Sequence, residues 1–184
     1  MTILLEELDL TNMPITAVLR NWMINEDWKD KIEISEDGNE ATVATILTIK
    51  DQDHRLYIEV AEKSDVFFLY LYGHFNVPIN RRTEVIQLIN RAHGRIGLGR
   101  FHASMDEKPR PVQFKYLIDL EGSSLSTKQI DVMLASAASS CELYGPLFAK
   151  VAMTDVSAED VWAEFLETER QQEEQQEALG PAQL

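Results

Sequence analysis

From Asn12 onward the apolar residues Ile15, Val18, Leu19 and Trp22 fall three and four apart, with Pro14 ahead of them. That spacing predicts a helix with the proline in its first turn. Trp28 follows in the connection. The period then changes to two. "KIEIS", "EDGN" and "EATVATILTIKD" read as a short strand, a turn and a long strand. Asp37-Gly38 suits a hairpin, because tight primed turns need residues that tolerate positive φ. "DQDH" turns the chain again, and Asp51 and Asp53 belong to that turn, where aspartates bond their own backbone. In "RLYIEVAE", Leu56, Ile58 and Val60 alternate with Arg55, Tyr57 and Glu59, so one face is expected to be buried and one wet. "DVFFLYLYG" is apolar on both faces, with Val66, Phe68, Tyr70 and Tyr72 on one and Phe67, Leu69 and Leu71 on the other. Such a strand is central, or something covers its second side.

A helix is predicted after Pro78, with Asn80 as its N-cap and Val85, Ile86, Ile89 and Ala92 as its apolar stripe. Gly94 stands where a helix end favours left-handed φ. The run "RAHGRIGLGRF" has the glycines and arginines of a phosphate loop, but in the wrong order. A phosphate loop follows a strand and opens a helix, placing helix amides against the anion. Here the glycines follow a helix, whose C-terminus repels anions, and lead into the strand "GRFHASM". After a turn at Pro109 and Pro111, "VQFKYLIDL" alternates as a strand. Ser126 and Gln129 form a capping box for the next helix, which Gly145-Pro146 is expected to break. A last amphipathic segment carries Val161, Trp162, Phe165 and Leu166. The residues beyond it hold too little apolar surface to order themselves and read as a frayed helix or disorder. The order α-β-β-β-α-β-β-α indicates an α+β fold, an antiparallel sheet packed by helices.

Composition narrows the function. The chain has 184 residues, 45% hydrophobic and 26% charged, as in a soluble domain with a real core. Its formal net charge is −14, which disfavours nucleic acid and anionic membrane as partners. One cysteine excludes an internal disulfide. The opening "MTILLEELDL" lacks the basic start of a secretory signal, and no apolar run approaches a membrane span, so a cytoplasmic protein is expected.

Catalytic candidates are sparse. Cys141 falls on the same helix face as Leu134 and reads as a small packed hydrophobe. His54, His74, His93 and His102 lack metal-ligand spacing. His93, His102 and Asp106 flank the glycine turn, short of the ligand set zinc requires. The Asp37-Gly38 segment lacks the alternating ligands of a calcium loop. No catalytic residue, metal site or cofactor is assigned. Charge is more informative: between Asn80 and Lys115, eight basic residues stand against three acidic ones, which suits local ion pairs with the acidic strands or tail first, and a docking patch for an acidic partner second.

The chain resembles the YbjN family of bacterial proteins, whose domain looks like the type III secretion chaperone fold. The resemblance runs from Asn12 to Leu147. It rests on the aromatic strand leading to "HFNVP", on "RRTEVIQLINRAH" followed by "GLGRFHASMDE", and on "VQFKYLIDLEGSSLSTKQIDVMLASAASSCELYGPLF". It implies a non-enzymatic, chaperone-like or regulatory role in binding another protein. It also implies a homodimer through the helix from Asn80 and the strand after it. The expected organisation is an arm over 1–11, one domain over 12–153, and a C-terminal helix with an acidic tail over 154–184. The expected partner is a protein segment, met by apolar Trp22, Phe68, Tyr70 and Tyr72 and by a basic patch of Arg81, Arg82, Arg91, Arg95 and Arg100. The alternative is a small-anion or enzymatic site built on those arginines.

Overall fold

In the computed structural model, residues 8–178 are described. Helix α1 spans Pro14–Asn25, and strands β1 (Glu33–Ile34), β2 (Glu40–Ile49), β3 (Gln52–Ala61) and β4 (Val66–Val77) follow. Then come α2 (Arg82–His93), β5 (Arg100–Ala103), β6 (Arg110–Asp119), α3 (Thr127–Met153) and α4 (Ala158–Ala178). The six strands form one antiparallel sheet in the order β1-β2-β3-β4-β6-β5. This is the expected α+β architecture.

Helices cover one face of the sheet. Leu56, Ile58, Phe67, Leu69, Leu71 and Phe114 point into that face and are buried among α1, α2 and α3. The start of α1 has no capping side chain of its own, since Met13 precedes it. Glu62, from the β3–β4 connection, supplies the acceptor instead. Its Oε1 takes bonds from the Thr16 amide and hydroxyl, both at 2.7 Å. A carboxylate placed there also complements the positive end of the helix dipole. At α3 the capping box is present: the Gln129 amide donates to Ser126 Oγ at 3.2 Å, and the Ser126 amide to Gln129 Oε1 at 2.8 Å.

Four local expectations are corrected. Asn80 does not cap α2; a short 3₁₀ turn over Ile79–Arg81 leads into the helix without a side-chain cap. Gly94 stays right-handed at φ −64°, because the chain leaves α2 through tight turns, with the amides of Gly94 and Arg95 bonding the carbonyls of Arg91 and Ala92. The glycine that needs left-handed freedom is Gly99, at φ +74°, where a Cβ would lie 2.4 Å from the Phe114 ring. Pro146 does not break α3, which runs on to Met153. Tyr144 and Phe148, one on each side of the proline, are both buried and pack edge-on to Phe101. That packing holds the helix together across the missing amide.

The fourth correction concerns the C-terminus. Residues 167–178 continue α4 as helix; residues 179–184 lie outside the described part. Two anchors explain the ordered stretch. Ala158, Val161 and Phe165 are buried, and α4 runs alongside α2 in the same direction. At one end the Ala158 amide donates to Glu84 Oε2 at 2.7 Å; at the other Arg95 grips Glu169 with two bonds of 2.5 and 3.1 Å. Farther out, Arg170 bridges Glu167 and Glu174, pairs at helical spacing that support an exposed helix. Phe165→Ala should therefore cost about 2–4 kcal/mol in urea unfolding. Deleting 171–184, with only exposed residues among those described, should shift the melting temperature by less than about 3 °C.

Candidate protein-binding surface

Among the described residues, no helix lies over the second face of the sheet. Strand side chains alternate between faces, so strand register determines who meets whom there. Tyr57 on β3 pairs with Tyr70 on β4, which pairs with Lys115 on β6, which pairs with Arg100 on β5. The neighbouring row reads Ile46, Arg55, Tyr72, Gln113 and His102. A third reads Glu59, Phe68 and Leu117.

These rows place aromatic rings together. Phe68 and Tyr70 stack with centroids 5.7 Å apart, and Tyr57 meets Tyr72 edge-on at 5.5 Å. The Lys115 ammonium lies 5.0 Å from the Phe68 ring centre and 5.4 Å from that of Tyr70. It draws on the negative ring faces while staying exposed. Gln113 Nε2 donates to Tyr72 Oη at 3.0 Å. Burial, then the adjacent Glu59 carboxylate, pushes the Tyr70 phenol up to about 12, so it remains a hydroxyl donor. Leu117 is 46% exposed and Ile46 is 56% exposed. Together they give an exposed apolar ridge, rimmed by charge, on an otherwise acidic chain.

The residues expected to contact a partner divide. Phe68, Tyr70 and Tyr72 share this outer face. Trp22 does not: it is 2% exposed, packs against the tilted ring of Trp28 at 4.8 Å and donates from Nε1 to Asp131 at 2.7 Å. Four of the five arginines have internal partners. Arg81 donates to the carbonyls of Val151 and Val156, holding the α3–α4 connection. Arg82 is buried and donates to the carbonyls of Asp106 and Lys108, fixing the β5–β6 turn. Arg95 pairs with Glu169 and lies over the Phe165 ring. Arg91 is exposed, as is Arg100, which donates to the carbonyls of Ile96 and Gly99. Helix α4 lies along α2, the helix expected to meet a second copy.

Sequence reasoning left out Tyr57, Leu117, Ile46, Lys115 and Arg55. Their alternation was visible strand by strand. What brings them beside Phe68 and Tyr70 is the pairing order, and in particular β6 beside β4, a choice no local pattern encodes.

The candidates for chemistry have structural places. Cys141 is buried against α3's neighbours, and burial pushes its thiol up to about 12. His93 Nε2 accepts from the Phe101 amide at 3.0 Å and so closes the glycine-rich turn, while His102 sits on the outer face; the two do not converge. Among the described residues, no three His, Cys, Asp or Glu side chains group as metal ligands. Nor is any described helix long and apolar enough to cross a membrane.

Comparison with known proteins adds the following. The YbjN family model, described as "Putative bacterial sensory transduction regulator", matches residues 16–150. No curated protein matches the chain. An uncharacterized protein from Methanothermobacter thermautotrophicus is similar in structure, with 13% identity over 74% of this chain and 98% of that one, at a TM-score of 0.51. The ExsC–ExsE complex contains a chain at 17% identity, covering 74% and 97%, at 0.49. The HopA1–SchA chaperone–effector complex contains one at 14%, covering 72% and 93%, at 0.47.

Two outcomes follow from the titratable groups. Burial holds His54 and His93 below the ordinary imidazole value of 6.5. Between the two values the unfolded chain binds more protons than the folded one, so stability is complete above 6.5 and declines as pH falls below it. Urea midpoints should drop between about pH 7.5 and pH 5.5, and the double variant His54→Gln, His93→Gln should flatten that drop. Cys141 should react with a thiol reagent at least about a hundredfold more slowly in the native protein than in denaturant, since only the thiolate attacks.

Proposed function

The chain belongs to the YbjN family, and we propose that it is a non-catalytic protein-binding module, chaperone-like or regulatory, working in the cytoplasm. The observation that carries this reading is the outer sheet face, where Phe68, Tyr70, Tyr72, Tyr57 and Leu117 stand together with no helix of the described residues over them. Aromatic side chains in such a cluster are the usual anchors of protein interfaces, offering large area at small entropic cost. The partner is an extended protein segment whose apolar side chains lie on the Phe68–Tyr70 ridge. A regulatory role follows the family's description. The cations of that face, Lys115 and Arg100, set association rate, while the rings set dissociation.

A small-anion or enzymatic site on the arginine cluster has less support, since Arg81, Arg82 and Arg95 already donate to internal acceptors. A homodimer formed on α2 would displace α4 or use the exposed polar residues Thr83, Gln87 and Arg91.

The test is quantitative capture from native lysate with the full chain and with Phe68→Ser, Tyr70→Ser. A protein retained by the natural chain should be retained roughly tenfold less by the double variant, which keeps its circular dichroism and melting temperature. Equal retention by both would move the binding surface away from this face.

A further inference from the structure

The outer face ends in a groove of about 870 Å³, opened by an irregularity in β4. Pairing with β6 is regular up to Tyr72 opposite Gln113 and resumes only at Asn76 opposite Pro111. The residues between, Gly73 to Phe75, bow away from the ladder as a bulge does. Gly73 passes so near β6 that a Cβ would lie 3.3 Å from the Val112 carbonyl oxygen.

Arg55 lines this groove, beside Tyr57 and between Ile46 and Tyr72 in register. It is exposed, and among the described residues it has neither an ion pair nor a side-chain hydrogen bond. The surrounding charges are spoken for. Arg110 pairs with Asp106 at 3.3 Å, Lys115 lies over two rings, and Asp53 accepts from the Thr48 hydroxyl at 2.8 Å. One guanidinium with its full set of donors therefore stands beside Ile46, Tyr57 and Tyr72, in a groove whose other polar members include Asp53, Asp106 and Gln113.

We infer that Arg55 is the acid-recognising residue of this face: the groove takes the carboxylate of an Asp or Glu side chain in an extended segment that lies on the Phe68–Tyr70 ridge. The inference rests on the outer-face reading above and names the chemistry of its partner. A planar guanidinium binds a carboxylate through two parallel N–H···O bonds. A phosphate is the poorer fit. It carries nearly two charges, no second free arginine converges on Arg55, and Asp53 and Asp106 line the same groove.

The test is selection from a displayed library of short peptides on the immobilised full chain, on Arg55→Gln, and on Phe68→Ser, Tyr70→Ser. Selected peptides are then synthesised with amidated C-termini. The natural chain should select sequences with an Asp or Glu beside apolar residues. Their affinity should fall about tenfold on Arg55→Gln, and by a similar factor when the acid becomes the amide. The two losses should not add, because they remove one contact. If the selected peptides lack an acid, or Arg55→Gln costs nothing while the Phe68→Ser, Tyr70→Ser chain still fails to bind, the Arg55 assignment is wrong and the outer-face reading stands. Binding lost on amidation alone would place the carboxylate at a chain terminus and overturn the side-chain assignment. Peptides that bind the Phe68→Ser, Tyr70→Ser chain unchanged, or no selection at all, would remove the outer-face reading and this inference with it.

Discussion

Strand β4 carries large apolar side chains to both faces of the sheet, and helices receive only one of them. Phe67, Leu69 and Leu71 are fully buried against the helical layer. Phe68, Tyr70 and Tyr72 alternate with them by the two-residue period and must emerge on the other side. A twelve-residue strand paired on both edges cannot turn those rings inward without moving the buried set out. Register is thereby fixed, and an aromatic outer face follows from it. The molecule relieves the exposure partly from within, by stacking Phe68 on Tyr70 and setting the Lys115 ammonium over both rings.

Much of this was legible in the sequence because its signals are local. The pattern in "DVFFLYLYG" and "VQFKYLIDL" marks two strands, and the Ser126–Gln129 spacing marks a helix start that the bonds reproduce. What was not legible depends on contacts distant in sequence. Glu62 caps a helix 46 residues earlier. Pro146 stays inside α3 because Phe101 packs on Tyr144 and Phe148, a tertiary effect that outweighs a local breaker. The polar end of α4 is ordered by Glu169 meeting Arg95 across 74 residues. Helix propensity and apolar content predict none of these.

The arginines show the same limit in a sharper form. A charge count over Asn80–Lys115 does not distinguish a free cation from one with an internal partner. Yet a guanidinium reaches far along its stem, and its commonest partners in this window are backbone carbonyls, which composition does not reveal. Arg81 and Arg82 sit where α2 begins and donate to the ends of other elements, the α3–α4 connection and the β5–β6 turn. Their place in an unfavourable first turn is offset by those bonds. Arg55 was overlooked for the opposite reason: it lies outside the basic window, in a strand read as ordinary alternation.

The overall charge constrains what kind of acid this face can accept. A chain of net charge −14 repels acidic partners at long range. That repulsion is screened beyond about 8 Å at physiological salt, while a guanidinium–carboxylate contact acts at bonding distance. A segment with one acid among apolar residues therefore meets little repulsion on approach and gains the full contact on arrival. An acid-rich segment meets the long-range field with every charge, and only one of its carboxylates finds an unspent guanidinium. The geometry thus favours a largely apolar partner with a single acidic residue in register over a broadly acidic one. Affinity should come from the rings, and the choice among apolar segments from Arg55.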